Sequence, residues 1–307
     1  MNARPLGGPP RDLIGYGARP PKVTWPNGAA LALSPVINYE EGSEYETGRG
    51  DDHSDLGEFP GYAGEYRDFC VESVFEYGSR TGIWNLFRLL DEYGLKTTVY
   101  ASAEAIEKNP DVGAAIERAG HEPHGHGWRW TEQFRMDVDE ERALIARAVE
   151  TLERLCGSRP VGWYSRYSPS INTRELLVEE GGFLYDSLPY NDDLPYYTAV
   201  NGRSHLVLPY NSLVYNDARY VFSQGFGSPS AFVDMCKRAI DEFRRQGHAG
   251  YPKMMSIGTH PRYSGQMGRL SALREILEHA LECGDVWIAR RRDIAEWWQQ
   301  HHEEFDR

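Results

Sequence analysis

The sequence predicts an α/β fold, a distorted (β/α) barrel of about seven or eight strands. Strand-like and amphipathic helix-like segments alternate along most of the 307 residues. The strand-like runs are short and apolar, and polar residues follow most of them. Apolar residues make up 40% of the chain, which is enough for one large hydrophobic core. A parallel sheet covered by helices accounts for these observations.

The chain begins with a segment that cannot form a regular element. Its first 28 residues are rich in Pro, Gly and Arg and are predicted to form an extended arm, whereas residues 29–307 are predicted to form the barrel as a single domain. The first strand is predicted over residues 29–37. A Gly- and acid-rich loop follows at 43–66, and loops of that length in a compact domain are usually functional or disordered. This loop could cover a binding site.

The remaining elements alternate regularly. Further strands are predicted over residues 96–101, 121–125, 161–165, 183–186, 206–210, 254–259 and 286–289. Helices are predicted over residues 79–93, 104–119, 139–155, 173–180, 231–246, 269–282 and 293–302. Such a succession predicts a sheet that is closed or nearly closed.

Composition and charge exclude several classes of protein. The net charge of −13 and the lack of a basic stripe disfavour nucleic acid as a partner. No run approaches the ~20 apolar residues of a membrane span, and the N-terminus lacks the apolar segment of a secretion signal. Four widely spaced cysteines without a CxxC pair fit a reducing compartment. We therefore expect a cytoplasmic protein with neither a nucleic-acid nor a membrane partner.

Polar residues directly after the strands are the candidates for a site, because barrels carry their catalytic residues at the C-terminal ends of the strands. The first strand is followed by two adjacent carboxylates, and the third and a late strand are followed by histidines. In chain order the candidates are Asn38, Glu40, Glu41, His124, His126, Tyr164, Arg166, Asp186, His260 and Arg262.

These residue types suit amide hydrolysis, since one group can take a proton from water and another can protonate the leaving nitrogen. A divalent metal could activate the water instead, held by Glu40, His126 and one more histidine. Structural interpretations stay open beside the catalytic one. The two carboxylates could end a solvated strand, and His121, His124 and His126 could form a buried network.

Several motifs resemble those of one known family. They include WPNGAALAL, NYEEGSE, VFEYGSRTGIW, GHEPHGHGWRW, GWYSRYSPS, YNDDLPY, MMSIGTHPR and VWIARRRDIAEWW, in that order along nearly the whole chain. The sequence resembles the polysaccharide deacetylase superfamily and, within it, the metal-independent bacterial allantoinases and related cyclic-imide hydrolases. The resemblance implies a distorted (β/α) barrel of about seven strands and hydrolysis of a non-peptide carbon–nitrogen bond.

The resemblance also implies roles for single residues. Deacetylases that use a metal have two neighbouring aspartates and an H-[ST]-x-x-H motif, and here Asn38 to Glu41 and His126 to Trp130 stand in those positions. Because Trp130 replaces a histidine ligand, no cofactor is expected. If a metal such as zinc binds, its ligands would be Glu40, His126 and His121.

By the same resemblance, His260 is the general acid on the leaving nitrogen. Glu40 then activates water, and Glu41 either assists it or points away. We further hypothesise that Arg166, or main-chain N–H groups at 164–168, polarise the scissile carbonyl. The substrate-binding residues expected on this basis are Asn38, His121, His126, Trp130, Tyr164, Arg166 and Asp186.

Three functions remain open at this point. The first is ring opening of a cyclic amide such as allantoin, a hydantoin or an imide. The second is N-deacetylation of an amino-sugar polymer, which usually requires export. The third is a barrel that binds without catalysis. The family commonly assembles as homo-oligomers, so a homo-oligomer is expected.

Overall fold

The computed structural model describes residues 7–56, 64–220, 225 and 227–305. Within them the chain forms one mixed sheet with helices around it. The strands are β1 (Leu31–Tyr39), β2 (Thr98–Ala101), β3 (Glu122–Gly125), β4 (Gly162–Trp163), β5 (Tyr185–Asp186), β6 (Tyr196–Val200), β7 (Arg203–Val207), β8 (Lys253–Thr259) and β9 (Val286–Ile288). The α-helices are α1 (Phe69–Tyr77), α2 (Ile83–Glu92), α3 (Ala103–Lys108), α4 (Pro110–Ala119), α5 (Val138–Cys156), α6 (Thr173–Glu180), α7 (Pro229–His248), α8 (Pro261–Ser264), α9 (Met267–Glu282) and α10 (Arg291–His301).

The sheet curls into an incomplete barrel. Its strand order is β6-β7-β5-β4-β3-β2-β1-β8, and β9 pairs with the start of β1. All pairs are parallel except the hairpin of β6 and β7. Within the described residues the edge strands β6 and β8 do not pair, so the barrel has an open seam between the β6–β7 hairpin and β8. The predicted distorted barrel is confirmed, and the seam is the distortion.

Loop residues satisfy the edge of β8 along this seam. The N–H of Met254 donates to the carbonyl of Asp193 (2.9 Å), and the N–H of Ser256 donates to Oδ1 of Asn211 (3.0 Å). The N–H of Gly258 donates to the carbonyl of Tyr215 (2.9 Å). Buried strand edges need such partners because an unpaired backbone group away from water is costly. The seam therefore fixes the loop that precedes residue 217.

A single buried arginine also spans the seam. Arg291, at the start of α10, is fully buried and donates to the hydroxyls of Ser187 (3.1 Å) and Ser256 (2.6 Å). It also donates to the main-chain carbonyl of Pro209 (3.0 Å). A guanidinium offers five donors in a fixed plane, so one side chain can join β8 to the segments that follow β5 and β7 across the seam.

The central strand positions the candidate catalytic residues. Every residue of β1 is buried, as expected for a parallel strand covered on both faces. The C-terminal half of β1 pairs with β2, and its first seven residues pair with β8. The C-terminal ends of β1 and β8 are therefore neighbours, which brings residues far apart in sequence to one rim.

The sequence analysis missed strand β6 and helices α1 and α8. Residues 196–207 form a β-hairpin around Asn201 and Gly202, whose φ angles of 49° and 77° suit a two-residue turn of type I′. The Asn-Gly pair was a direct signal for it. Helix α1 was also missed, and the helix predicted over 104–119 is two helices, because Pro110 starts a new one after Asn109.

Two glycines explain the motif GSRTG between α1 and α2. The five residues Gly78–Gly82 form one π-helical turn that joins the two helices. A Cβ on Gly78 would overlap the carboxylate of Glu41, and a Cβ on Gly82 would overlap the carbonyl of Pro261. The helix can thus approach the rim of the barrel only because these two positions lack side chains.

The end of the predicted arm packs on the barrel. Residues 1–6 lie outside the described residues, and 7–28 contain only a short 3-10 turn at Pro26–Gly28. Val23 and Trp25 are buried, and Trp25 donates from Nε1 to the carbonyl of Lys253 (3.0 Å). The division into an arm and a barrel domain stays a prediction. Across the described residues, no helix combines the length and apolar character needed to cross a bilayer.

Candidate active site

A cavity of about 570 Å³, open to solvent, lies at the C-terminal ends of the strands. Seven of its lining residues were candidates from the sequence, and four of these directly follow β1, β3, β4 and β8. Most of the other lining residues lie at positions 210–219, in the segment that runs along the seam. The lining residues are Asn38, Glu40, His126, Trp130, Tyr164, Arg166, Tyr167, Tyr190, Tyr210, Ser212, Leu213, Asn216, Ala218, Arg219 and His260.

Glu40 is the centre of a buried charge cluster. Its Oε1 lies 3.1 Å from Nε2 of His126 and 3.6 Å from Nε2 of His260. Its Oε2 accepts a hydrogen bond from Nη2 of Arg262 at 2.7 Å. Burial raises the pKa of Glu40, but the charges of Arg262 and His260 and the hydrogen bonds outweigh burial and hold that pKa well below its ordinary value. Glu40 is therefore an ionised carboxylate under the cavity.

His126 joins Glu40 to the next strand. Its Nδ1 lies 2.9 Å from the main-chain carbonyl of Tyr164, which can only accept, so Nδ1 carries a hydrogen. Its Nε2 lies 3.1 Å from Oε1 of Glu40. The imidazole therefore links the carboxylate of Glu40 to the end of β4.

His260 is paired with a carboxylate that the sequence analysis did not find. Its Nδ1 lies 2.6 Å from Oδ1 of Asp217, and its main-chain N–H donates to Oδ2 at 2.8 Å. Asp217 is fully buried and also accepts from the hydroxyl of Ser264 at 2.6 Å. Burial alone lowers the pKa of His260, but Glu40 and Asp217 raise it to about 9. The imidazole is thus protonated at neutral pH.

Arg262 and Glu41 lie behind Glu40, away from the cavity lining. Glu41 accepts from the main-chain N–H of Glu40 (2.9 Å), and its Oε1 lies 3.4 Å from Nη1 of Arg262. Burial raises the pKa of Glu41. Glu41 was expected either to assist Glu40 or to point away from the site. Its carboxylate points away from the cavity and packs against Gly78, where it positions Glu40 and Arg262.

Aromatic rings form the wall of the cavity. Tyr164 stacks on His126 with ring centroids 5.2 Å apart, and its hydroxyl bonds to that of Tyr190. Tyr210 packs against Tyr164 at 5.0 Å, and its hydroxyl lies 3.4 Å from Nδ2 of Asn38. Flat apolar walls with a few polar atoms at the floor suit a small planar ligand.

Comparisons with known proteins identify the family of this chain. A model of the family described as polysaccharide deacetylase matches residues 63–181. A putative polysaccharide deacetylase of Schizosaccharomyces pombe is 34% identical over 314 residues, covering 95% of this chain and 98% of the relative. The chain belongs to the polysaccharide deacetylase family. The expected superfamily and the hydrolase class are thereby confirmed.

Two solved structures in the family are similar over almost their whole length. A probable polysaccharide deacetylase from Pseudomonas aeruginosa PAO1 is 44% identical with a TM-score of 0.89, covering 95% of this chain and 99% of that one. Puue allantoinase is 43% identical with a TM-score of 0.90, covering 95% of this chain and 98% of that one. These structures confirm the barrel type of the polysaccharide deacetylases.

The donor set at the cavity does not fit the metal that many deacetylases use. Trp130 lines the cavity in the position of a histidine ligand, and Arg262 holds Oε2 of Glu40 at 2.7 Å. A cation on Glu40 would have to displace that guanidinium, which repels it. In the described part of the chain, no three His, Cys, Asp or Glu side chains at the cavity bring their ligand atoms within 4.8 Å of one another. The absence of a metal cofactor stays a prediction.

Two predicted substrate-binding residues lie elsewhere. Asp186 is the last residue of β5, but its carboxylate is fully buried between Arg174 (2.6 Å) and His205 (3.0 Å) and does not line the cavity. His121 precedes β3 and therefore lies at the opposite end of the barrel, where it packs on Phe87. Neither side chain lies at the cavity, so the prediction that Asp186 and His121 contact the substrate there is wrong. The prediction that His121 is a metal ligand beside Glu40 is wrong for the same reason.

Arg166 lines the cavity but is already bound to a partner. Its Nη1 and Nη2 donate to the carboxylate of Asp55 at 2.9 and 2.6 Å, and Nη1 also donates to the carbonyl of Trp130 (2.7 Å). The guanidinium therefore anchors the loop at 43–66, and it keeps one hydrogen on Nη2 beyond the bonds to Asp55 and Trp130. Its role in polarising a substrate carbonyl stays a prediction. The role of that loop as a lid stays a prediction, and its residues 57–63 lie outside the described residues.

Proposed function

We propose that this protein hydrolyses a carbon–nitrogen bond of a small cyclic amide, with Glu40 as general base and His260 as general acid. The observation that carries the proposal is the convergence of Glu40, His126 and His260 at the floor of an aromatic cavity. The likeness to Puue allantoinase over 95% of the chain supports a ring such as allantoin, a hydantoin or an imide.

The positive charges around Glu40 explain how a weakly basic carboxylate can act as a base. In the resting site, Arg262 and His260 hold its negative charge. When water attacks the substrate carbonyl, negative charge develops on the carbonyl oxygen and attracts the imidazolium of His260, which lines the cavity. The proton affinity of Glu40 rises as the attack proceeds, so its Oε1 takes the proton of the water.

His260 completes the reaction. Its Nε2 donates a proton to the leaving nitrogen as the carbon–nitrogen bond breaks, and the ring opens to a carboxylate and a free amide or urea group. Asp217 holds the imidazolium in the orientation that this transfer needs. Return of the proton from Glu40 to Nε2, across 3.6 Å, restores the resting site.

The test compares two classes of substrate. Ring opening of allantoin, hydantoin and succinimide is measured beside acetate release from chitooligosaccharides, in wild-type protein and in the variants Glu40→Gln and His260→Ala. We expect ring opening in wild type and a loss of about 10²–10⁴-fold in each variant, the usual contribution of a general base or acid.

A matched control is Glu76→Gln, which removes an exposed carboxylate on α1 and should leave the rate unchanged. Circular dichroism shows whether each variant is folded. Near wild-type rates in a folded Glu40→Gln protein would contradict the assignment. Acetate release without ring opening would favour the polymer deacetylase, and inactivity in both assays would favour a binding barrel.

A further inference from the structure

A second cluster of metal-ligating side chains lies on the surface of α7 and α9. Asp241 belongs to α7, whereas His279 and Cys283 lie four positions apart at the end of α9 and therefore on one face of that helix. One ligand atom from each of the three residues lies within 4.8 Å of the other two. Nε2 of His279 is 2.9 Å from Oδ1 of Asp241. We call these three residues the α7–α9 cluster.

We propose that the α7–α9 cluster binds a divalent transition metal, zinc in the first place. Zinc accepts imidazole nitrogen, thiolate and carboxylate oxygen, at about 2.0–2.3 Å. In a tetrahedron of that size, neighbouring ligand atoms are about 3.4–3.7 Å apart. The three atoms thus need to move by only about 1 Å, and the partly exposed position leaves the fourth ligand to water.

The surroundings of the cluster favour a cation. Asp285 and Glu282 are acidic neighbours of the Cys283 thiol, and Arg244 is the basic neighbour. Arg244 lies 3.8 Å from the Asp241 carboxylate, but its Nε donates to Asp285 at 2.5 Å, which offsets its charge. With Asp241 included, three carboxylates face one guanidinium there.

The position of the cluster separates it from the proposed reaction. The main-chain carbonyl of Asp285 accepts a hydrogen bond from the main-chain N–H of Ala30 (2.9 Å), the residue directly before β1. The cluster therefore lies near the N-terminal end of β1, whereas Glu40 follows its C-terminal end. A metal there would clip α7 to α9. Zinc found in purified protein would then be no evidence for a metal at the cavity.

Binding follows a balanced exchange: the metal forms a bond to sulfur, and the Cys283 thiol releases one proton. Cobalt(II) is the probe, because a thiolate bound to cobalt gives a charge-transfer absorption band in the near ultraviolet. We expect one cobalt per chain with this band in wild-type protein, and its displacement by zinc. The control variant Cys70→Ser, which removes an exposed thiol on α1, should keep the band.

Two variants test the ligands. Cys283→Ser should abolish the charge-transfer band, and His279→Gln should weaken cobalt binding by at least about tenfold, the lower end of the loss caused by removing an outer-shell partner. Ring opening should be unchanged in both variants. A wild-type protein without the band, or a band that persists in Cys283→Ser, would overturn the proposal. If Cys283→Ser does not fold, unchanged cobalt affinity in His279→Gln would overturn it instead.

Discussion

The pairing of Asp217 with His260 makes a quantitative prediction about pH. The perturbation is Asp217→Asn, which keeps the shape of the side chain but removes the charge 2.6 Å from Nδ1 of His260. In wild type the pKa of His260 is raised to about 9. In the variant, burial lowers that pKa and only Glu40 raises it, so we take the ordinary value of about 6.5.

The magnitude follows from the fraction of protonated imidazole. With a pKa of about 9, about nine tenths of the His260 side chains carry the proton at pH 8. With a pKa of about 6.5, only about 3% do so. If the protonated imidazole is the general acid, kcat/KM at pH 8 falls about thirtyfold from this effect alone.

The assay is the pH profile of kcat/KM for ring opening. This profile reports the pKa values of the free enzyme, so its alkaline limb should move from near pH 9 in wild type to near pH 6.5 in Asp217→Asn. The matched control is Ser264→Ala, which removes a hydrogen bond to Asp217 but keeps its charge, and its alkaline limb should stay in place. An unshifted limb in a folded Asp217→Asn protein would refute the reasoning.

Two further predictions concern stability, measured by urea unfolding. Gly78→Ala should destabilise the protein by about 1–3 kcal/mol, because the new methyl group has no room. The control Gly268→Ala, in a helix with open space around the new methyl group, should be neutral or stabilising. Equal changes in the free energy of unfolding for the two variants would contradict the packing argument. Arg291→Met should cost at least about 3 kcal/mol, because buried hydroxyls and carbonyls at the seam lose their donor. The control Arg238→Met, at an exposed position, should lower the free energy of unfolding by less than about 1 kcal/mol. An equally small loss for Arg291→Met would contradict the role of Arg291 in holding the seam together.

The sequence predicted the site where each residue follows a buried strand. Glu40, His126 and His260 come directly after β1, β3 and β8, and parallel strands end at one rim, so their convergence follows from topology. Asp186 obeys the same rule but binds Arg174 and His205 instead. A position at a strand end therefore predicts where a side chain lies, whereas its hydrogen-bond partners determine whether it can contact a ligand.

Asp217 shows the limit of that rule. It follows no apolar strand, because it lies on the loop that covers the seam, and only the folded chain brings it to His260. The pairing of Arg262 with Glu40 was equally hidden, since both residues appeared as separate strand-end candidates. Long-range ionic partners leave no periodic signal along a chain. The Asn-Gly turn at 201–202 was different, since its local signal was present and was overlooked.

The seam between the β6–β7 hairpin and β8 separates two kinds of structural constraint. The strands that carry Glu40 and His126 are fixed on both sides by ladders, so a change there disturbs neighbouring strands. Residues 208–216 meet β8 through a few loop contacts and supply Tyr210, Ser212 and Asn216 to the cavity. Insertions and substitutions in this stretch can reshape the cavity without breaking a strand pair. Selectivity for new rings can therefore evolve along this segment while the proton-transfer groups of the ladder strands stay in place.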